Sequence, residues 1–307
     1  VTTAEDSVSA ADPLTDLVGS EHLHPRRHPS RIITAILVLA LLGWLVVEFA
    51  DSKIDWSVVA SNLTSKVILE GARNTLIISA AAMALGLILG VVFAVLRLSK
   101  NPVLSSVAWF YVWLFRGTPV FLQLLIWFNL AIVFPTISIG VASISTVKAI
   151  TPFVAALLGL GINEGAYLTE IIRGGILSVD PGQTEAAMAT GLSQRQTLRW
   201  VVLPQALPAI LPTLGNETIG MMKTSALAAS ISYGELLNAA QESSYNNGRI
   251  MELLFVAAFW YLVIVSFTSV GQYYLERSAN RGRSDLSPSI AHRIWRSLLI
   301  RHAGPDA

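Results

Sequence analysis

The sequence predicts an all-α membrane protein with six transmembrane helices. Three observations carry that expectation. The 307 residues are 53% hydrophobic and 13% charged, about half the roughly 25% charge of a soluble domain. The charges are bunched, leaving uncharged runs long enough to cross a bilayer. The basic residues also fall mainly on alternate sides of those runs. This composition excludes a disordered chain, and the absence of cysteine excludes a disulfide scaffold.

Residues 1–31 read as a basic cytoplasmic tail. Ile32–Ala50 follows as a first span of 19 residues with one charge, Glu48. Its apolar stretch is too long for a signal peptide, and Glu48-Phe49-Ala50 is not a small-x-small cleavage site. The 23 residues between Arg73 and Arg97 are uncharged, as are the 23 between Glu252 and Glu276. The 31 uncharged residues between Arg116 and Lys148 contain Pro135 and Gly140, so one span is expected over Gly117–Phe134, followed by a loop. A hydrocarbon core about 30 Å thick needs roughly 20 helical residues. Two further spans, Ala149–Ile172 and Leu211–Tyr233, carry charges at Glu164, Glu170, Glu217 and Lys223. Residues 277–307 form a second basic tail, in which Ile290–His302 has an apolar arc suited to an anionic inner leaflet. A solvated tail is the other reading.

With the N-terminus in the cytoplasm, the inside segments hold fifteen lysines and arginines and the outside segments five, with Lys223 left within a span. The bias obeys the positive-inside rule, and an even number of spans returns the C-terminus to the cytoplasm.

The same residues exclude most catalysis. None of the five lysines follows a glycine, so there is no phosphate-binding Gly-Lys-Ser/Thr loop. All five histidines lie in the tails. With no cysteine or histidine in the membrane core, thiol and imidazole nucleophiles and most zinc sites are gone. The expectation is a non-enzyme with no cofactor, no metal and no nucleic-acid partner.

Ionisable groups within spans are costly and mark pathways or internal pairs. Glu170 is the foremost candidate to meet a cationic ammonium, although Arg173, three residues on, offers it a partner on the same helix face. Tyr167 lies one turn earlier, as a lining or a packing aromatic. Glu164 and Glu217 are alternate acids. Asn216, Gly220 and Lys223 form one helical stripe, and Glu217 and Thr224 its neighbour. Lys223 either neutralises Glu217 or Glu164 or meets a substrate carboxylate. Ala82, Gly86, Gly90 and Ala94 recur every four residues, a small-residue face suited to close packing against another helix of the same chain.

The long inner loop, 180–208, reads as two short helices. Asp180-Pro181-Gly182-Gln183 has the capping residue, first-turn proline and glutamine of a helix start. Gly191 should end that helix, Ser193-x-x-Gln196 should cap a second, and Pro204 and Pro208 should limit or kink it. Such a unit suits docking into a partner's groove or, more simply, connecting two spans along the membrane surface.

A resemblance to a known family favours docking. Glu185-Ala186-Ala187, then Gly191, then Val201-x-Leu203-Pro204 resembles the signature loop of ATP-binding-cassette importer permeases, with valine for the usual isoleucine at 201. Phe115-Arg116-Gly117-Thr118-Pro119 with Gln123 is similar to the polar amino-acid branch of that family (histidine, glutamine, glutamate and arginine permeases). So are Gly165-Ala166-Tyr167-x-x-Glu170 with Arg173-Gly174-Gly175, Leu203-Pro204-Gln205-Ala206, Asn216-Glu217 and Lys223-x-Ser225-Ala226-Leu227, where Ala226 replaces a common hydroxyl residue.

The resemblance covers residues 71–276 and implies a five-span permease core behind an extra N-terminal span at 32–50. It further implies a multi-pass amino-acid transport subunit in a prokaryotic plasma membrane, surrounded by lipid. The implied partners are a second permease chain, two ATPase subunits that bind the ATP, and an extracytoplasmic solute-binding protein. Glu185, Ala186, Ala187, Gly191, Val201, Leu203 and Pro204 would couple to the ATPase. An ion-coupled secondary transporter and a structural membrane subunit are the rival readings.

Overall fold

A computed structural model describes residues 29–51, 53–139 and 142–279. The chain divides into two units at Ile54 and Asp55. The first contributes one described helix, α1 (Pro29–Ala50), which begins three residues before the expected span. The amphipathic reading of Ile290–His302 and most of both tails lie outside the described residues.

The second unit opens with α2 (Trp56–Asn62). The Asp55 side chain caps it by accepting from the backbone N–H groups of Ser57 and Val58. The Ser57 hydroxyl also donates to that carboxylate at 2.6 Å. This bond, followed by the two backbone N–H groups and Arg249, lowers the Asp55 pKa against an opposing effect of burial.

Next comes α3 (Lys66–Arg97). Its 32 residues reach about 48 Å at 1.5 Å per residue, beyond the hydrocarbon thickness. Its small-residue face is buried, as expected. A Cβ on Gly86 would stand 2.9 Å from the Glu164 Cγ, and one on Gly90 2.7 Å from the Leu168 Cβ. The surface it meets belongs to the 152–177 helix described below.

The expected single span over Gly117–Phe134 is absent. An apolar helix, α4 (Pro102–Gly117), is capped by Asn101 and ends at Thr118. A second, α5 (Val120–Phe128), leaves at a 99° bend, followed by the single turn α6 (Leu130–Val133). Pro119 causes the break: it lacks an N–H and drives Thr118 into the extended region, at φ −118° and ψ 143°. The carbonyls freed there are taken up by neighbouring side chains. The Gln123 amide donates to Phe115 O at 3.0 Å and Thr118 O at 3.1 Å, and Asn163 Nδ2 donates to Phe115 O at 2.7 Å. Without such partners a broken helix at membrane depth would leave unsatisfied backbone groups. Counting uncharged residues missed α4 because Lys100 and Arg116 bracket only fifteen uncharged residues, fewer than the roughly 20 a span needs.

A short antiparallel ribbon pairs β1 (Thr136–Ile139) with β2 (Ala142–Ser145), Thr136 opposite Ser145. One turn, α7 (Thr146–Ala149), leads to the central helix α8 (Pro152–Leu177). Pro152 occupies its first turn, and the Thr151 hydroxyl accepts from Val154 N–H. One apolar core forms where α3, α5, α8 and the 225–231 segment meet, around Ile78, Leu124, Leu160, Leu168 and Ile231.

After α8 come α9 (Pro181–Ala189), α10 (Gln194–Thr197), a π-helical turn at Leu198–Val202 and α11 (Leu203–Thr224). The prolines do not stop the second loop helix as expected. Pro204 falls in the first turn of α11, where a missing N–H costs nothing. Pro208 and Pro212 are accommodated inside the helix. A 3₁₀ segment (Ser225–Ile231), α12 (Leu236–Asn247) and α13 (Ile250–Ala279) complete the fold.

Among the described residues, three helices are long and apolar enough to span a membrane alone, or four if α4 and α5 count as one bent span. The charges on α8 and α11 keep them below that measure, so six spans are an expectation and not an observation.

Candidate functional site

The loop between α8 and α11 folds from strictly local signals. Asp180 accepts from Gly182 N–H at 2.6 Å to start α9. At its end, Gly191 N–H donates to Met188 O at 3.0 Å and Leu192 N–H to Ala187 O at 3.3 Å. This is the paired bonding of a Schellman stop. It requires a left-handed residue, and Gly191 has φ +90° with open space around it. Ser193 and Gln196 then form a reciprocal capping box. Glu185, Ala186 and Pro204 are exposed, Ala187 is buried, and Val201 and Leu203 are half-buried. Met188 and Trp200 add exposed apolar surface nearby. A rigid corner of small residues, one acid and two large apolar side chains is thereby presented outward.

On α8, Glu170 is already partnered. Its Oε2 accepts from Arg173 Nη2 at 2.7 Å and from Nε at 3.1 Å, and Arg97 Nε of α3 stands 3.8 Å from Oε1. The Arg116 guanidinium of α4 lies over the Tyr167 ring, 5.0 Å from its centroid. Glu164 differs from both. It is buried, its Oε1 has no hydrogen-bond partner, and Glu217 of α11 lies within electrostatic reach.

The α11 stripe separates in space. Asn216 turns to α13, where its Oδ1 accepts from Gln272 Nε2 at 3.2 Å. Thr224 donates to Gly220 O at 3.1 Å. Lys223 is exposed and makes no ion pair among the described residues. The structure thus sets Glu217 within electrostatic reach of Glu164, gives Glu170 to arginines, turns Asn216 to Gln272, and leaves Lys223 without an ion pair among the described residues.

Sequence reasoning assigned no role to Glu235. Its fully buried carboxylate caps α12 through Leu237 and Asn238 N–H and accepts from Tyr261 at 2.5 Å and, at 3.4 Å, from Thr75. Glu235 joins α3, α12 and α13. The available signal was an acid followed three residues later by Asn238, directly before an amphipathic helix.

A bundle of apolar helices with a capped helical corner set between two of its members has the build of a membrane transport subunit, and the relatives show that it is one. The chain belongs to the family of binding-protein-dependent transport system inner membrane components, whose profile matches residues 86–281. It is 41% identical over 261 residues to the arginine transport system permease protein ArgU of Corynebacterium glutamicum, covering 84% of this chain and 83% of that one. The glutamine transport system permease protein GlnP of Escherichia coli is 36% identical over 224 residues, 73% of this chain and 96% of the relative. Among solved structures, an amino acid ABC transporter crystallised with histidines superposes with a TM-score of 0.61 at 33% identity, covering 69% of this chain and 94% of that one. The protein is a permease subunit of the amino-acid ABC importer type. Nothing in the fold or the relatives favours the ion-coupled alternative.

Proposed function

We propose that this chain pairs with a second permease chain, two ATPase subunits and an extracytoplasmic solute-binding protein, and lines the amino-acid pathway with α8 and α11. The observation that carries this reading is the corner at residues 180–208. A capped helix, a left-handed glycine and a capping box sit between the two helices bearing Glu164 and Glu217, so a push on Glu185 and Ala186 bears on both. Six spans with both termini in the cytoplasm fit the fifteen-to-five distribution of basic residues.

The substrate is an amino acid with a cationic side chain. The Oε1 of Glu164 is buried without a hydrogen-bond partner, Glu217 lies within electrostatic reach of it, and neither acid has an ion pair among the described residues, an arrangement suited to a cation in a low-dielectric space. The name of the Corynebacterium relative, an arginine permease, agrees. The ATP would be bound on the partner chains.

The test is reconstitution of the complete complex in proteoliposomes with saturating binding protein. Uptake of radiolabelled arginine should require ATP, stop with vanadate and survive an ionophore. Uptake that survives vanadate and collapses with the ionophore would make the chain an ion-coupled transporter. Absence of any uptake from an assembled complex would make it a structural subunit.

A further inference from the structure

We infer that Glu170 is a positioning residue and not a substrate ligand: with Arg97 and Arg173 it clasps the inner ends of α3 and α8, so that both helices follow the coupling corner as one body. The inference rests on the importer reading above and goes beyond it in assigning how motion leaves the corner.

Three arginines from three helices converge on this one carboxylate. Arg173 is bonded to it, Arg97 is ion-paired with it, and Arg116 lies close enough to act on it electrostatically. The contact is sheltered: the three paired side chains are 28%, 22% and 31% exposed for Arg97, Glu170 and Arg173. Arg97 Nε and Glu170 Oε1 are themselves buried, and each lacks any other partner. A substrate ammonium arriving at Glu170 would have to displace arginines and leave two or three of them without a counter-charge, which is costly where water is scarce. The carboxylate is therefore committed to the protein.

Its place in the chain gives the commitment a purpose. Glu170 lies two turns from the end of α8, and only Ser178, Val179 and Asp180 separate that end from α9. Ser178 N–H still bonds back to Gly174 O at 3.0 Å, so the connection has no slack turn. Earlier along the same helix pair, α8 is locked to α3 at Gly86 and Gly90, whose positions have no room for a Cβ. That small-residue contact ends at Ala94, and the next point of attachment is Arg97, the last residue of α3. The clasp extends the interlock to the membrane's inner edge, where displacement of α9 is delivered.

The experiment uses the cysteine-free chain in the assembled complex, with spin labels on single cysteines at Ser99 and Leu177, compared with and without ATP and vanadate. In the wild type the distance between the labels should be narrow and the same in both states. In Glu170→Gln it should broaden in both, and in Glu170→Asp it should narrow again, because the charge returns.

In proteoliposomes Glu170→Gln should lower transport per ATP hydrolysed roughly tenfold, and equally for arginine and its neutral isostere citrulline. Arg97→Gln should do the same, and the double variant should be no worse than either, as expected for residues acting as one unit. A loss confined to arginine, with an unchanged label distance, would overturn the inference and make Glu170 a substrate ligand. A wild-type distance that changes between states would also overturn it. Failure of the importer reading itself would appear separately, as a complex with no ATP-driven uptake in the wild type.

Discussion

Gly175 of α8 faces Ile210 of α11 so closely that a Cβ on the glycine would fall 2.2 Å from the isoleucine Cγ1. The two helices that flank the 180–208 corner therefore touch backbone to side chain close to it. Gly175→Ala must push them apart, at about 1–3 kcal/mol for overpacking. The purified complex should melt at lower temperature, and combining it with Ile210→Ala, which removes both the Cγ1 and the Cδ1 that the new Cβ would meet, should cost less than the sum of the two single variants. Full wild-type stability in Gly175→Ala would show that the contact yields freely.

Topology follows from the basic residues. Cysteines at Ser61 and Asn247 should react with an impermeant reagent from outside intact cells, whereas one at Gln194 should react only after the membrane is opened. Outside labelling at Gln194 would overturn the orientation.

Gly191 has φ +90° and nothing near it. Gly191→Asp should therefore act through backbone strain of about 1–2 kcal/mol and through its new charge, not through a clash. The spans should fold and insert normally while transport per ATP falls. A variant that assembles with its ATPase and transports like the wild type would reduce the corner to a connector.

Glu164→Gln keeps the side-chain volume and removes a carboxyl group that has no basic partner among the described residues. Arginine transport should fall at least tenfold, corresponding to roughly 1.4 kcal/mol, while citrulline transport changes little. Binding-protein affinity, measured separately, should stay the same. Equal losses for both substrates would assign Glu164 to packing between α3 and α8.

Asp55 gives a pH signature outside the spanning helices. Its pKa is lowered in the folded protein, so its stabilisation of α2 is complete above the ordinary value of 3.8 and is lost as pH falls through the lowered one. The protection of the Ser57 and Val58 amides, taken as exchange relative to the unstructured rate at the same pH, should fall in acid in the wild type. In Asp55→Asn the same amides should show a flatter response.

The sequence by itself determined what depends on neighbours along the chain. The helix start at Asp180-Pro181, the stop at Gly191 and the Ser193–Gln196 box all arise from bonds spanning five residues or fewer, so each was legible and each formed. The small face of Ala82, Gly86, Gly90 and Ala94 was legible for the same reason, as a periodicity of one helix.

Only the tertiary structure decided what depends on separate helices meeting. It gave that face its partner on α8. It broke the apolar stretch at Thr118 and Pro119 because Gln123 and Asn163 were in place to receive the freed carbonyls. It also divided the acids. Glu170, first choice by motif, meets Arg97 from a helix ending 73 positions earlier, whereas the Oε1 of Glu164 finds no hydrogen-bond partner among the described residues. A charge within a span announces that it needs compensation, but which group supplies it is settled by distances across the bundle. Electrostatic energy in a low-dielectric interior depends on those distances, and spacing along one helix does not contain them.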